Sequence, residues 1–166
     1  MKAPLKLWLF YALVVVVAVA LWRGGSLKSD AEMIAHFAAH RSEFEQVVAW
    51  FREDGRDMWI GRLPGRVWPQ TLADASELGA ERVDAYRSLV VRLDVSGVLG
   101  DVQSVEFQTY PWLSPFGPMK SYYYSTRTPE ILTTGDTGDF VFAPGQWRRV
   151  CRPFEENWYI CLDLED

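Results

Sequence analysis

Glu32, His36, His40 and Glu43 recur at intervals of four, four and three residues, which places them close to one side of a helix. A carboxylate and two imidazoles so arranged can ligate zinc or act as an acid and base pair. Glu32, His36 and His40 are therefore the metal-ligand candidates, and a metal-assisted hydrolase is the activity they would serve. His40, however, borders an apolar stripe that runs through Met33 and Val47, while Glu32 and Glu43 fall toward solvent. The simpler expectation is a polar boundary whose Glu and His side chains pair along the helix. These are the chain's two histidines, and no His-Glu-x-x-His is present. No catalytic residue and no cofactor is assigned.

Cys151 and Cys161 are the chain's two cysteines. Glu155-Glu156-Asn157 between Phe154 and Trp158 suits a type I turn followed by a left-handed residue, a position Asn tolerates. With Phe154 and Trp158 as the closing hydrogen-bonded pair, Pro153 faces Tyr159, Arg152 faces Ile160, and Cys151 faces Cys161. Alternation makes the cysteine pair non-hydrogen-bonded, with Cα atoms ~4.5 Å apart, at the short end of what a disulfide accepts. Pro153 falls in the same class of position, so its missing N–H costs the ladder nothing. A disulfide is expected in an oxidising compartment, with a reduced core pair as the alternative. The spacing is not Cys-x-x-Cys, which argues against redox activity.

The third group is aromatic. Tyr110, Trp112 and Phe116 lie in a stretch that also carries Pro111, Pro115 and Pro118, and Tyr122 and Tyr124 follow in a strand. Aromatics give much contact area at little ordering entropy, so these five are the candidate ligand- or partner-binding residues. The competing role of Tyr110, Trp112 and Phe116 is to close the open end of a small core over Trp147 or Trp158. Arg148, Arg149 and Arg152 form a local cationic patch, expected to pair with Glu155, Glu156 or Asp163 as ordinary surface ion pairs. The chain has no glycine-rich phosphate loop and no Gly-x-Ser-x-Gly, and no carboxylate pair stands out among its acids.

The elements that must position these residues are legible in part. Ser29 and Glu32 form a capping box, and Met33, Phe37, Phe44, Val47, Val48 and Phe51 recur at helical spacing. One helix is expected from Ser29 to about Asp54, with Gly55 in the left-handed position beyond it. Asp57 to Thr71 reads as irregular. A second helix follows from Ala80 to Leu93, and Val95 to Gly100 breaks it. The period then changes to two. Strands are expected at Val102–Thr109, Met119–Ser125, Gln146–Phe154 and Trp158–Leu164, with a short helical turn at Pro129–Leu132. In the second of these strands, alternation sets Tyr123 on the face opposite Tyr122 and Tyr124. The fold class is α+β: two main helices packed on one face of an antiparallel sheet of about four strands.

Ahead of this domain, Leu7 to Trp22 is an uncharged run between Lys2 and Lys6 on one side and Arg23 and Lys28 on the other. It predicts a single N-terminal membrane-anchor helix, short by a few ångströms, with Trp8 and Trp22 at the interfaces. A signal peptide cleaved near Ala20 is the alternative. Residues 1–28 are thus a signal-anchor segment and linker, and residues 29–166 a single soluble domain. The expected location is a bacterial-type inner membrane, single-pass, with the domain in the periplasm, or secretion after cleavage.

The formal net charge is −5. Lys2, Lys6 and Arg23 are three of the seventeen cations and no acid lies at or before Arg23, so the remainder carries fourteen cations against twenty-two acids, a net −8. Such a domain lacks the basic stripe that binds nucleic acid. A basic or mixed-charge protein partner suits it better. The leading expectation is a non-enzymatic envelope accessory or interaction domain, of an inhibitor or immunity type. A binding module for cell-wall sugar or peptide is the alternative, and the metal-assisted hydrolase the second.

Overall fold

The computed structural model describes Tyr11 and residues 27–74, 77–109, 118–140 and 148–164. Among them are three α-helices, α1 (Asp30–Ala39), α2 (Arg41–Asp54) and α3 (Ala80–Arg92). The strands are β1 (Met58–Gly61), β2 (Val67–Trp68), β3 (Gly97–Gly100), β4 (Ser104–Thr109), β5 (Met119–Ser125), β6 (Arg148–Glu155) and β7 (Trp158–Leu164). All seven join one antiparallel sheet in the order β2-β1-β3-β4-β5-β7-β6.

The fold is α+β as expected, but with seven strands rather than four and three helices rather than two. The additional strands are short. β1 and β3 have four residues each and β2 has two, too few for a period-two pattern to emerge from the sequence. They form because β4 offers an edge for β3, and β3 in turn offers one for β1. The expected single helix is broken at His40, whose φ of −123° leaves the helical region. Its N–H is shared between the carbonyls of His36 and Phe37, and this residue ends α1 and begins α2. No proline or glycine marks the break in the sequence. The capping box at Ser29 and Glu32 is formed, and Gly55 ends α2 at φ 69°. The helical turn expected at Pro129–Leu132 lies instead at Thr137–Asp139, and Leu132 makes a parallel bridge to Cys151.

The helices cover one face of the sheet. Met33, Phe37, Phe44, Val47, Phe51, Tyr86 and Leu89 meet Ile60, Val98, Phe107, Tyr122, Trp158 and Ile160 in one core. Phe44 sits at its centre, with ring centroids 4.7 Å from Tyr122 and 4.8 Å from Phe107. Rings at such separations gain contact energy beyond their burial.

The expected membrane helix requires correction. Among the described residues no helix is long and apolar enough to cross a membrane. Apart from Tyr11, the run from Leu7 to Trp22 lies outside the described residues. The single-pass inner-membrane location, and the membrane as a partner, are set aside on that finding.

The cysteine hairpin follows the expected register. Cys151 pairs with Cys161, Arg152 with Ile160 and Pro153 with Tyr159, and the disulfide is formed with the Cα atoms 4.1 Å apart. The N–H and C=O of Cys151 point away from β7, to Ile131 O and Thr133 N, which is what a non-hydrogen-bonded pair requires. Asn157 takes the left-handed conformation, φ 63°. The ladder shifts near the turn, where Glu155 rather than Phe154 is the partner of Trp158.

Candidate functional site

The face of the sheet that no described helix covers carries a row of side chains that crosses every strand. In register, Trp68 on β2 neighbours Trp59 on β1, then Leu99 on β3, Glu106 on β4, Tyr123 on β5, Tyr159 on β7 and Pro153 on β6. Directly paired residues present their side chains on the same face. With strands about 4.8 Å apart, the row extends roughly 29 Å. Trp68 is 57% exposed, and Trp59, Leu99, Tyr123 and Tyr159 are half-buried. None of these residues belongs to the core beneath the helices.

Two glycines set the attitude of Trp59. A Cβ at Gly61 would lie 2.8 Å from its ring, and one at Gly97 3.0 Å from its Nε1. Both positions belong to the neighbouring row on the same face, so the indole lies down against the strands where side chains are missing. Its N–H donates to Gln108 Oε1 at 3.2 Å. An indole held this way turns a broad apolar surface outward.

At the middle of the row the chemistry is polar. Arg149 reaches across from β6, and its Nη2 donates to Glu106 Oε2 at 2.5 Å. Its Nε and Nη2 donate to Asp163 Oδ1 and Oδ2 at 2.7 and 2.9 Å, a bidentate pair. The guanidinium carbon stands 5.1 Å from the Tyr123 ring centroid, and the Tyr123 and Tyr159 rings are 6.4 Å apart. Glu106 is 6% exposed. Burial pushes its carboxyl above the usual carboxylate range, Arg149 opposing and Asp163 reinforcing. Burial works against the charge of Arg149, but hydrogen bonds to Asp163 and the charge of Glu106 hold its pKa above the ordinary value. Ser121 lies close enough to draw the Glu106 carboxyl down, but Glu106 Oε1 and Ser121 Oγ, both buried, make no well-formed hydrogen bond.

The residues expected to do chemistry are placed differently. The rings of His36 and His40 lie with centroids 4.7 Å apart, tilted by 39°, and His36 Nδ1 lies 3.1 Å from the Tyr122 hydroxyl. His40 lies 3.9 Å from Glu43. Glu32 is spent on the capping box, accepting from Ser29 N and Oγ at 2.8 and 2.9 Å. Among the described residues no group of three His, Cys, Asp or Glu side chains is placed to hold a metal ion. Tyr122 and Tyr124 are 1% and 9% exposed and belong to the core. The expectation of a sugar or peptide bound there loses its basis, because both rings are spent on packing. Tyr110, Trp112 and Phe116 lie outside the described residues. Arg149 does pair with Asp163, but half-buried and joined by Glu106, and Arg152 approaches the buried Asp30 at 3.6 Å.

The basic protein partner expected from net acidity finds no dedicated surface among the described residues. Several of the surface acids are taken up by local cations: Glu45 with Arg41, Glu53 and Asp54 with Arg82, Glu77 with Arg56, and Asp94 with Lys28 and Arg62.

Sequence reasoning missed Trp59, Trp68, Glu106 and Asp163 as parts of one surface. The available signal was the placement of Tyr123 opposite its neighbours, which the strand register bears out.

Fold and face together define a small disulfide-bonded α+β domain with an aromatic cluster on its open sheet surface. No family model matches the chain, and neither a curated protein nor a solved structure matches it.

Proposed function

We propose that this chain is a non-enzymatic binding module whose ligand lies across the open sheet face, over Trp68, Trp59, Tyr123 and Tyr159. The carrying observation is the seven-residue row, in which every position but Glu106 is apolar or aromatic. An apolar band on a sheet face that no described helix covers is the kind of surface proteins keep for a ligand. A rigid sheet also holds such residues in place, so little ordering is lost on binding. Sugar chains and extended peptides both present flat apolar faces interrupted by hydrogen-bonding groups, which is the pattern of this row.

The test is equilibrium binding of the full chain to soluble and insoluble polysaccharides and to peptides, comparing the natural protein with Trp68→Ala and Tyr159→Ala. Trp68 is exposed and Tyr159 half-buried, so both variants keep the core. Each substitution is expected to weaken binding about tenfold or more. Binding that both variants retain unchanged would move the ligand surface elsewhere.

A further inference from the structure

We propose that Glu106 and Ser121 form the polar centre of this row and receive the hydroxyl groups of a neutral saccharide, an assignment that rests on reading the row as a ligand surface. Both side chains are more than nine-tenths buried, yet Glu106 Oε1 and Ser121 Oγ make no well-formed hydrogen bond. A buried polar atom without a well-formed hydrogen bond is costly and calls for a reason, and a ligand that bonds to both atoms would supply one.

The identity of the missing groups follows from the surroundings. Asp163 holds Arg149 by a bidentate pair and Glu106 takes a further N–H from it, so the centre holds no unpaired cation to recruit an anionic group. A serine hydroxyl donates and accepts, and so does a carboxyl that burial biases toward its protonated form. Ligand groups that also do both are hydroxyls, and hydroxyls flanked by flat apolar ring faces describe a sugar. From the register, the path of Arg149 to Glu106 crosses β7 and β5 at the level of Cys161 and Ser121. Arg149 is the cover over the centre. Its Nη2 holds Glu106 Oε2, so Oε1 and the Ser121 hydroxyl are the two atoms left for a ligand.

The alternative ligand, a peptide added as a further strand, meets blocked edges. On β6 the outward groups of Cys151 are taken by Ile131 and Thr133, and Pro153 has no N–H to offer. On the other side, β2 is two residues long.

The experiment titrates the full chain, by calorimetry, with soluble neutral oligosaccharides and separately with a proline-free peptide of alternating apolar and polar residues, able to pair as a strand. The oligosaccharide is expected to bind and the peptide not. Ser121→Ala removes a hydroxyl that makes no well-formed hydrogen bond in the free protein, so the fold is retained while affinity falls about tenfold. Glu106→Gln, its amide oxygen held by Arg149, offers only N–H donors to the ligand and is expected to lose a similar factor. Saccharide affinity that drops in Trp68→Ala but not in Ser121→Ala or Glu106→Gln would overturn the polar centre and leave the row standing. Binding of the peptide alone would overturn the saccharide assignment. Binding of neither would overturn the row as well.

Discussion

Lys120 Nζ lies 2.8 Å from Asp30 Oδ1, and both side chains are buried. The pair joins β5 to the first turn of α1. Asp30 also accepts from the N–H and hydroxyl of Thr137 at 2.9 and 2.7 Å, and Lys120 also donates to Asp136 at 2.9 Å. A buried ion pair gains its worth from such surrounding bonds, and removing one partner exposes the other to the full desolvation cost. Asp30→Ala is expected to destabilise the domain by about 3 to 5 kcal/mol, read from the midpoint of urea unfolding. Lys120→Met should cost less, because Thr137 continues to satisfy the carboxylate. Equal losses would show that the pair alone, rather than the network, carries the stabilisation.

The disulfide links residues ten apart in sequence at the outer edge of the sheet. Constraining so short a loop in the unfolded chain contributes roughly 2 to 3 kcal/mol. The double variant Cys151→Ala with Cys161→Ala should lose about that much, and also loosen the segment Ile131–Thr133, whose backbone bonds to Cys151. Faster amide exchange at Thr133 and Cys151 would be the local sign. A variant with unchanged exchange there would place the stabilisation wholly in the unfolded state.

The hairpin and the outer helix ends were legible because their signals are local, whereas the break at His40 is marked by no proline or glycine. Register near Asn157 follows from turn chemistry over a dozen residues, and helix ends follow from Ser29, Glu32 and Gly55. The row on the open face was not, because its members come from seven strands. Three of those strands are too short to show a period, and pairing alone brings Trp59, Leu99 and Glu106 side by side. The His36 and His40 spacing was legible but misleading: the tight approach of α1 to β5 gives His36 to Tyr122 and leaves Glu32 to its own helix cap. Glu106 and Asp163 looked like two acids among many, and only Arg149, reaching from a third strand, makes them a group.

Two glycines offer a contrast in backbone cost. At Gly100, φ is 151° and a Cβ would fall 2.1 Å from Ser104 O, where β3 and β4 close on each other. At Gly55, φ is 69° but no atom lies within 4 Å of the added carbon. Gly55→Ala should therefore cost only the left-handed penalty, about 1 to 2 kcal/mol. Gly100→Ala adds a backbone collision that no rotamer relieves, and the expected loss is about 4 kcal/mol or more. Thermal unfolding of both variants distinguishes the two causes, and similar losses would mean that the β3–β4 connection yields easily.

His36 and Glu106 make stability depend on pH with opposite signs. Burial lowers the pKa of His36 below 6.5, helped by the neighbouring His40. The unfolded chain then takes up a proton first as pH falls, so this contribution is present above pH 6.5 and is lost as pH drops through the folded pKa. Burial raises Glu106 above 4.5, so its contribution is full below that value and is lost as pH rises through the folded pKa. Glu106→Gln removes the ionisation that burial resists. Arg149 keeps its bidentate bond to Asp163 in the variant, and stability near neutral pH is expected to hold or rise. His36→Gln should flatten the decline on the acid side of 6.5. Urea midpoints measured across this range for the two variants separate the groups: a Glu106→Gln curve that runs parallel to that of the natural protein at every pH would show that Glu106 does not change protonation on folding.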